Sequence, residues 1–143
     1  MSGVLCAIRG GPGSHPTIRK AINLAESKKL PLYFLYVFNL DFMRHTSHSR
    51  ADTITADMKQ MGEFILLMAE SLAAEQGVNA EGIMRQGQVA EEICELGKEL
   101  AADYVILGRP KEERNVFTQD RMSELEKTIE ESTGADVILV GEG

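Results

Sequence analysis

Apolar and polar positions follow one another in blocks along this chain. Short uninterrupted apolar runs are separated by longer stretches in which apolar residues recur every three or four positions. Val4 to Ile8, Leu32 to Val37, Tyr104 to Leu107 and Val137 to Val140 are runs of the first kind, with the length and β-favouring content of strands buried on both faces. Tyr104 to Leu107, ending abruptly in Gly108-Arg109-Pro110, reads as the centre of the sheet. Val78 to Gln86 is a weaker strand, interrupted by Gly82 and mixed with charge, which suits an edge. Helical spacing is carried by Ile18, Ala21, Ile22 and Ala25 behind Ser14, a capping residue, and Pro16, placed for a first turn. It recurs over 54–76 in Met58, Met61, Ile65, Met68 and Leu72, stopped by Gly77. Ala90, Ile93, Gly97 and Leu100 make a third helical face, and Met122, Leu125 and Ile129, stopped by Gly134, a fourth. The methionine stripe of the second helix reads as core, although methionine also serves adaptable binding surfaces. Gly97, at about 1 kcal/mol against alanine inside a helix, implies close packing on the sheet.

Strand and helix alternate through five strands, which predicts an α/β fold with a parallel sheet covered on both faces by right-handed crossovers. The 143 residues suffice for one domain, 1–143, with no linker and no internal repeat. Asn39 to Thr53 has no periodicity and much Ser, Thr, His, Arg and Asp, so it is expected to be a long mobile loop placed to cover the ligand edge. In open α/β sheets that edge lies beyond the carboxyl ends of the strands. Two segments fall there: Arg9-Gly10-Gly11-Pro12-Gly13-Ser14, and Gly108-Arg109-Pro110-Lys111.

Charge narrows the function classes. The formal charge of −7 opposes a general affinity for nucleic acid or anionic membrane, since both need clustered Lys and Arg. Within that acidic chain Arg109, Lys111 and Arg114 gather cations that can grip phosphate through charge; equally, Glu112 and Glu113 can neutralise them in a solvated turn. Gly10, Gly11, Gly13 and Ser14 offer amides at a helix start, an anion-friendly geometry that turn chemistry explains as well. Cys6 and Cys94 lack any C-x-x-C spacing and read as small buried hydrophobes of a reducing compartment. With no leader pattern at the amino terminus and no apolar window of spanning length, a cytoplasmic protein is expected.

His45 and His48 have no third ligand at a zinc spacing, so no metal is assigned. Asp103 precedes its strand, at the edge opposite the ligand side, and reads as structural. A G-x-x-x-x-G-K-[ST] loop, a G-x-S-x-G elbow and an HExxH pair are all absent. Arg9-Gly10 carries the wrong charge for the magnesium-holding acids of a phospho-receiver. No catalytic residue is assigned.

Taken together, the glycine-containing turn after the first strand, Gly87-Gln88-Val89-Ala90-Glu91-Glu92-Ile93, Ala101 to Gly108, Glu126 to Ile129 and Asp136 to Val140 resemble the universal stress protein family over essentially the whole chain. The resemblance implies a five-stranded sheet in the order 3-2-1-4-5, Rossmann-like, of the adenine nucleotide alpha hydrolase-like type. It also implies a cytoplasmic stress-response or signalling role, with a nucleotide site in the members that bind ATP. Those members carry an aspartate after strand one. After strand four they carry glycine, two residues, glycine, nine residues, then glycine with serine or threonine. Here Arg9 stands for the aspartate and Gly108 for the first glycine. Lys111 takes the second glycine's place and Arg121-Met122 that of the last pair, and one extra spacer residue brings Ser123 to the serine position. The candidate nucleotide or phosphate site is therefore Arg9, Gly10, Gly108, Arg109, Lys111 and Ser123, with ATP or AMP as the ligand and weak or absent binding expected. The family's dimers commonly form at the last strand, and Val137 to Val140, without proline or lysine, is an edge that needs a cover. A homodimer through that strand is expected, alongside a protein partner that the sequence does not name.

Overall fold

The computed structural model describes residues 2–9, 14–39, 48–108 and 116–141. Five strands, β1 (Val4–Ile8), β2 (Leu32–Phe38), β3 (Ala80–Gln86), β4 (Tyr104–Gly108) and β5 (Asp136–Val140), alternate with α1 (Ser14–Lys28), α2 (His48–Glu75), α3 (Val89–Leu100) and α4 (Val116–Thr133). All pairings are parallel, in the order β3-β2-β1-β4-β5, as the family resemblance implies. β1 is thus the middle strand, and β4, expected at the centre, lies between β1 and β5. Burial on both faces is common to every interior strand, so an apolar run does not say which strand is central, and the edge strand β5 is an apolar run as well.

The pleat divides the strands between two cores. Val4, Cys6, Ile8, Phe34 and Ile106 meet Ile18 and Ile22 of α1 and Leu66, Ala69 and Ala73 of α2 on one face. Leu5, Leu35, Val105 and Leu107 meet Ile93 and Leu96 of α3 and Ile129 of α4 on the other. Each such side chain contributes about 1.5–3 kcal/mol by leaving water. Both cysteines are free and buried, and full burial pushes the Cys6 thiol far above its ordinary range, so it packs as a neutral group.

Gly97 lies against α4 and not against the sheet. A Cβ there would stand 2.8 Å from Thr133 Cγ2, so the glycine lets two helices of the same face approach. Thr133 is fixed in turn, its hydroxyl donating to the Ile129 carbonyl at 2.7 Å and accepting from the Ala135 amide at 3.1 Å.

β3 is the edge strand anticipated. Its Gly87 amide still donates inward to the Phe38 carbonyl at 3.0 Å, so by strand alternation the amide of Gly82 points outward. Glu70 of α2 accepts it through Oε1 at 2.7 Å. A side chain at Gly82 would meet that oxygen at 2.9 Å and Leu66 Cβ at 3.0 Å, so glycine is what allows α2 to reach the edge.

α2 departs most from expectation. It begins at His48, so 48–53, assigned to the loop, are helical; 40–47 lie outside the described residues. Arg50, Asp52 and Thr53 are exposed, and these polar residues leave no periodic apolar signal. Nor is the methionine stripe all core: Ile65 is buried and Met58, Met68 and Leu72 partly so, but Met61 is 59% exposed, beside Phe64 at 67% and Leu67 at 62%.

Candidate functional site

Parallel strands place all their carboxyl ends on one rim, where β1 gives way to Arg9, β2 to Asn39, β3 to Gly87 and β4 ends at Gly108. Asp103 is at the other rim. Its carboxylate accepts the Gly3 amide at 3.3 Å, its own amide donates to the Gly3 carbonyl at 2.8 Å, and its carbonyl accepts from Asp136 at 3.0 Å. It ties the starts of β1, β4 and β5 together, which is structural work away from any ligand.

Of the six candidate residues, two are brought together. Arg9 is exposed and its Nη2 donates to the Gly108 carbonyl at 3.1 Å, so the guanidinium spans from the end of β1 to the end of β4. Gly10, Arg109 and Lys111 lie outside the described residues, as do Gly11, Gly13 and Arg114. Ser123 is exposed on α4, about 10 Å of helix beyond that element's first residue.

Gly108 has a local reason of its own. Its backbone is not in the left-handed region, so no turn demands glycine. A Cβ there would instead stand 2.7 Å from Thr17 Oγ1. Thr17 belongs to the inward face of α1 and is 3% exposed. A threonine gives no apolar signal of its own, although its spacing to Ala21 and Ala25 sets it on the apolar face. The space that the missing side chain leaves is therefore taken by the protein's own hydroxyl.

Each of the four helices starts at this rim, after the strand before it, and their first turns differ in charge. α3 opens with Glu91 and Glu92 in its first turn, carboxylates that already answer the positive end of its dipole. Glu92 also faces Arg85, at 3.7 Å, while Arg85 pairs with Glu99 at 2.6 Å. α1, α2 and α4 have no acid in their first turns, so those starts keep their positive dipole ends, and Arg9 adds an exposed cation at the end of β1. A shallow cleft of about 450 Å³ runs between α3 and α4, lined by Ala90, Glu91, Cys94, Glu95, Lys98 and Thr128; its two carboxylates outnumber its one cation, a balance that disfavours phosphate. Among the described residues no three His, Cys, Asp or Glu gather to hold a metal, and His45 lies outside them. Among the same residues no helix is long and apolar enough to cross a membrane.

The chain matches the model of the universal stress protein family over residues 1–138. It is 30% identical over 113 residues to the universal stress protein YxiE of Bacillus subtilis, spanning 73% of this chain and 76% of that one. Universal stress protein UspA from Lactobacillus plantarum superposes with a TM-score of 0.79 at 14% identity, over 98% of this chain and 97% of that one. A universal stress protein solved in complex with cAMP gives a TM-score of 0.74 at 17% identity, over 99% and 98% of the two chains. Likeness at such identity carries the fold.

Proposed function

The chain belongs to the universal stress protein family, and from that premise we propose that it works as a cytoplasmic, non-enzymatic stress-response or signalling module, a homodimer whose rim takes adenine nucleotide weakly. One observation carries the weak binding: the end of β4 is occupied by the protein's own groups. Arg9 holds the Gly108 carbonyl, and Thr17 fills the space beside Gly108 that a closely approaching phosphate would use. A ligand must displace the guanidinium before it meets the strand end.

Titration calorimetry with ATP, ADP and AMP tests this, with affinity for ATP expected weaker than micromolar. ATP that copurifies with the chain overturns it. Where binding is measured, Lys111→Ala is expected to weaken it, and an unchanged affinity removes that lysine's phosphate role.

A second reading, an adenine-nucleotide binder with slow ATP hydrolysis, is favoured by the structural relative in complex with cAMP and by the electropositive start of α1. Tight binding with measurable phosphate release selects it.

The surface proposed for the dimer is β5. Its residues 137–140 are half-buried and apolar at every position, and among the described residues no strand pairs with its outer side. Pairing with a second copy across a two-fold axis would satisfy those backbone groups in a closed assembly. The buried free cysteines suit the reducing cytoplasm.

A further inference from the structure

We propose that the solvent face of α2 docks a basic amphipathic helix of another protein, one with a short apolar face and a Lys or Arg cluster at each end. Met61, Phe64 and Leu67 are each about two-thirds uncovered. With half-buried Met68 they fall, at 100° per residue, within one arc of about 120°. Isolated exposed apolar residues need no explanation, but four contiguous ones on a single arc make a patch. Its makeup of unbranched methionine, leucine and one aromatic ring is the kind that re-forms around a partner's side chains.

Charge decides the occupant. Asp57 and Glu75 are both exposed and stand eighteen residues apart, about five turns or roughly 27 Å of helix. They project along the arc of the patch and close it at both ends; Arg50, exposed on the same arc, lies about 10 Å beyond Asp57 and outside that span. Lys59 and Glu63, one turn apart on its flank, offset each other. A second copy is the wrong occupant. An antiparallel pair of α2 helices crossing at the level of Leu66 sets Asp57 of one against Glu75 of the other, and a parallel pair sets each carboxylate against itself. Both arrangements bring like charges into an interface. An anionic lipid surface meets the same two carboxylates with its own negative charge. A helix with cations near both ends places them on Asp57 and Glu75 while its middle covers Phe64 and Leu67. This face is on α2, and the proposal does not depend on the nucleotide or on pairing at β5.

The isotope-labelled full chain is titrated with two synthetic helical peptides of about twenty residues that share a Leu/Met face. One has an Arg pair at each end and the other a Glu pair. The Arg-ended peptide is expected to bind saturably, to move amide resonances centred on 57–75, and to bind at least tenfold tighter than its Glu-ended counterpart. Phe64→Ser weakens that binding at least tenfold. The double variant Asp57→Lys, Glu75→Lys reverses the preference between peptides. All three positions are exposed, and far-UV circular dichroism checks that helix content is kept. Equal binding of the two peptides, resonance shifts elsewhere, or no saturable binding at millimolar peptide overturns the proposal. So does a fall in oligomeric state with Phe64→Ser, which assigns the face to a second copy, and so does binding to phosphatidylserine vesicles that the same substitution abolishes.

Discussion

Gly108→Ala asks whether the glycine at the end of β4 is there for a neighbour or for a ligand. The added Cβ would stand 2.7 Å from Thr17 Oγ1, about 0.7 Å inside the 3.4 Å at which ordinary contact begins. Thr17 is 3% exposed and β-branched on a helix, so its hydroxyl has few rotamers to retreat to. α1 must shift or the strand end must bend, and overpacking of this kind costs about 1–3 kcal/mol. For a chain of this length that corresponds to a fall of roughly 4 °C in melting temperature per kcal/mol. The cost should depend on the hydroxyl. In a Thr17→Ala background the nearest remaining atom is the residue's own Cβ, at 3.7 Å from the new methyl, and Gly108→Ala should there be nearly neutral. Thr17→Ser keeps the oxygen but loses the branching that confines it, and should relieve the penalty only in part. Urea unfolding of the four combinations, read as a double-mutant cycle, should give a coupling of about 1–2 kcal/mol. A single substitution that is harmless, or equally costly with and without the hydroxyl, would refute the reasoning and return the glycine to a ligand role.

Gly97→Ala places a methyl 2.8 Å from Thr133 Cγ2 and should destabilise by about 1–3 kcal/mol. In a Thr133→Ser background, which keeps the hydroxyl bonds to Ile129 and Ala135, the same change should become neutral or stabilising by up to about 1 kcal/mol through helix propensity, as thermal melts will show. Burial raises the Cys6 thiol from its ordinary value of 9.0, so above about pH 9 the unfolded chain gives up a proton that the folded one keeps. Stability should therefore fall with rising pH there, with up to about 1.4 kcal/mol per pH unit attributable to this thiol. The difference in slope between the parent and Cys6→Ala in urea titrations at pH 8 to 10 measures it, and identical slopes would contradict the burial. Leu139→Pro should break both the pairing of β5 and the dimer by chromatography with light scattering; a parent chain that stays monomeric at high micromolar concentration removes the dimer itself.

The strands were legible because each interior one is an apolar run of strand length, and β1, β2, β4 and β5 lie within a residue of their expected bounds. The helices were legible where one face is buried. What escaped was of two kinds. The start of α2 is helix made of polar residues, with Arg50, Asp52 and Thr53 exposed, and composition cannot separate such turns from a loop. Met61 sits at core spacing with Ile65 but at the margin of the buried arc, and periodicity alone does not say how far round a helix the neighbouring layer reaches. The rim was found from topology, since strand ends and glycines mark it. Yet the partner of Gly108 is a threonine ninety-one residues earlier, and only the fold brings them together. Gly97 failed the same way: the need for a small residue was visible, its neighbour on α4 was not.

The hydrogen bond from the Gly82 amide to Glu70 makes the two margins of the sheet unequal. A charged side chain already seated on the outward amide of β3 leaves an incoming strand with a lost hydrogen bond and a carboxylate to displace. Among the described residues no side chain is seated in this way on the outer edge of β5. Each copy would thus have a valence of one toward sheet extension. Two copies joined at β5 would form a continuous sheet of ten strands, five from each, whose outermost members are both β3 and both guarded. Growth would stop there, because the single reactive margin of each molecule is used up when the pair forms. A chain of the same fold with two open margins would have a valence of two and, at the same concentration, would lengthen into ribbons. Glu70 and the glycine it reaches would thus set the size at which association ends, although neither touches the surface through which it begins.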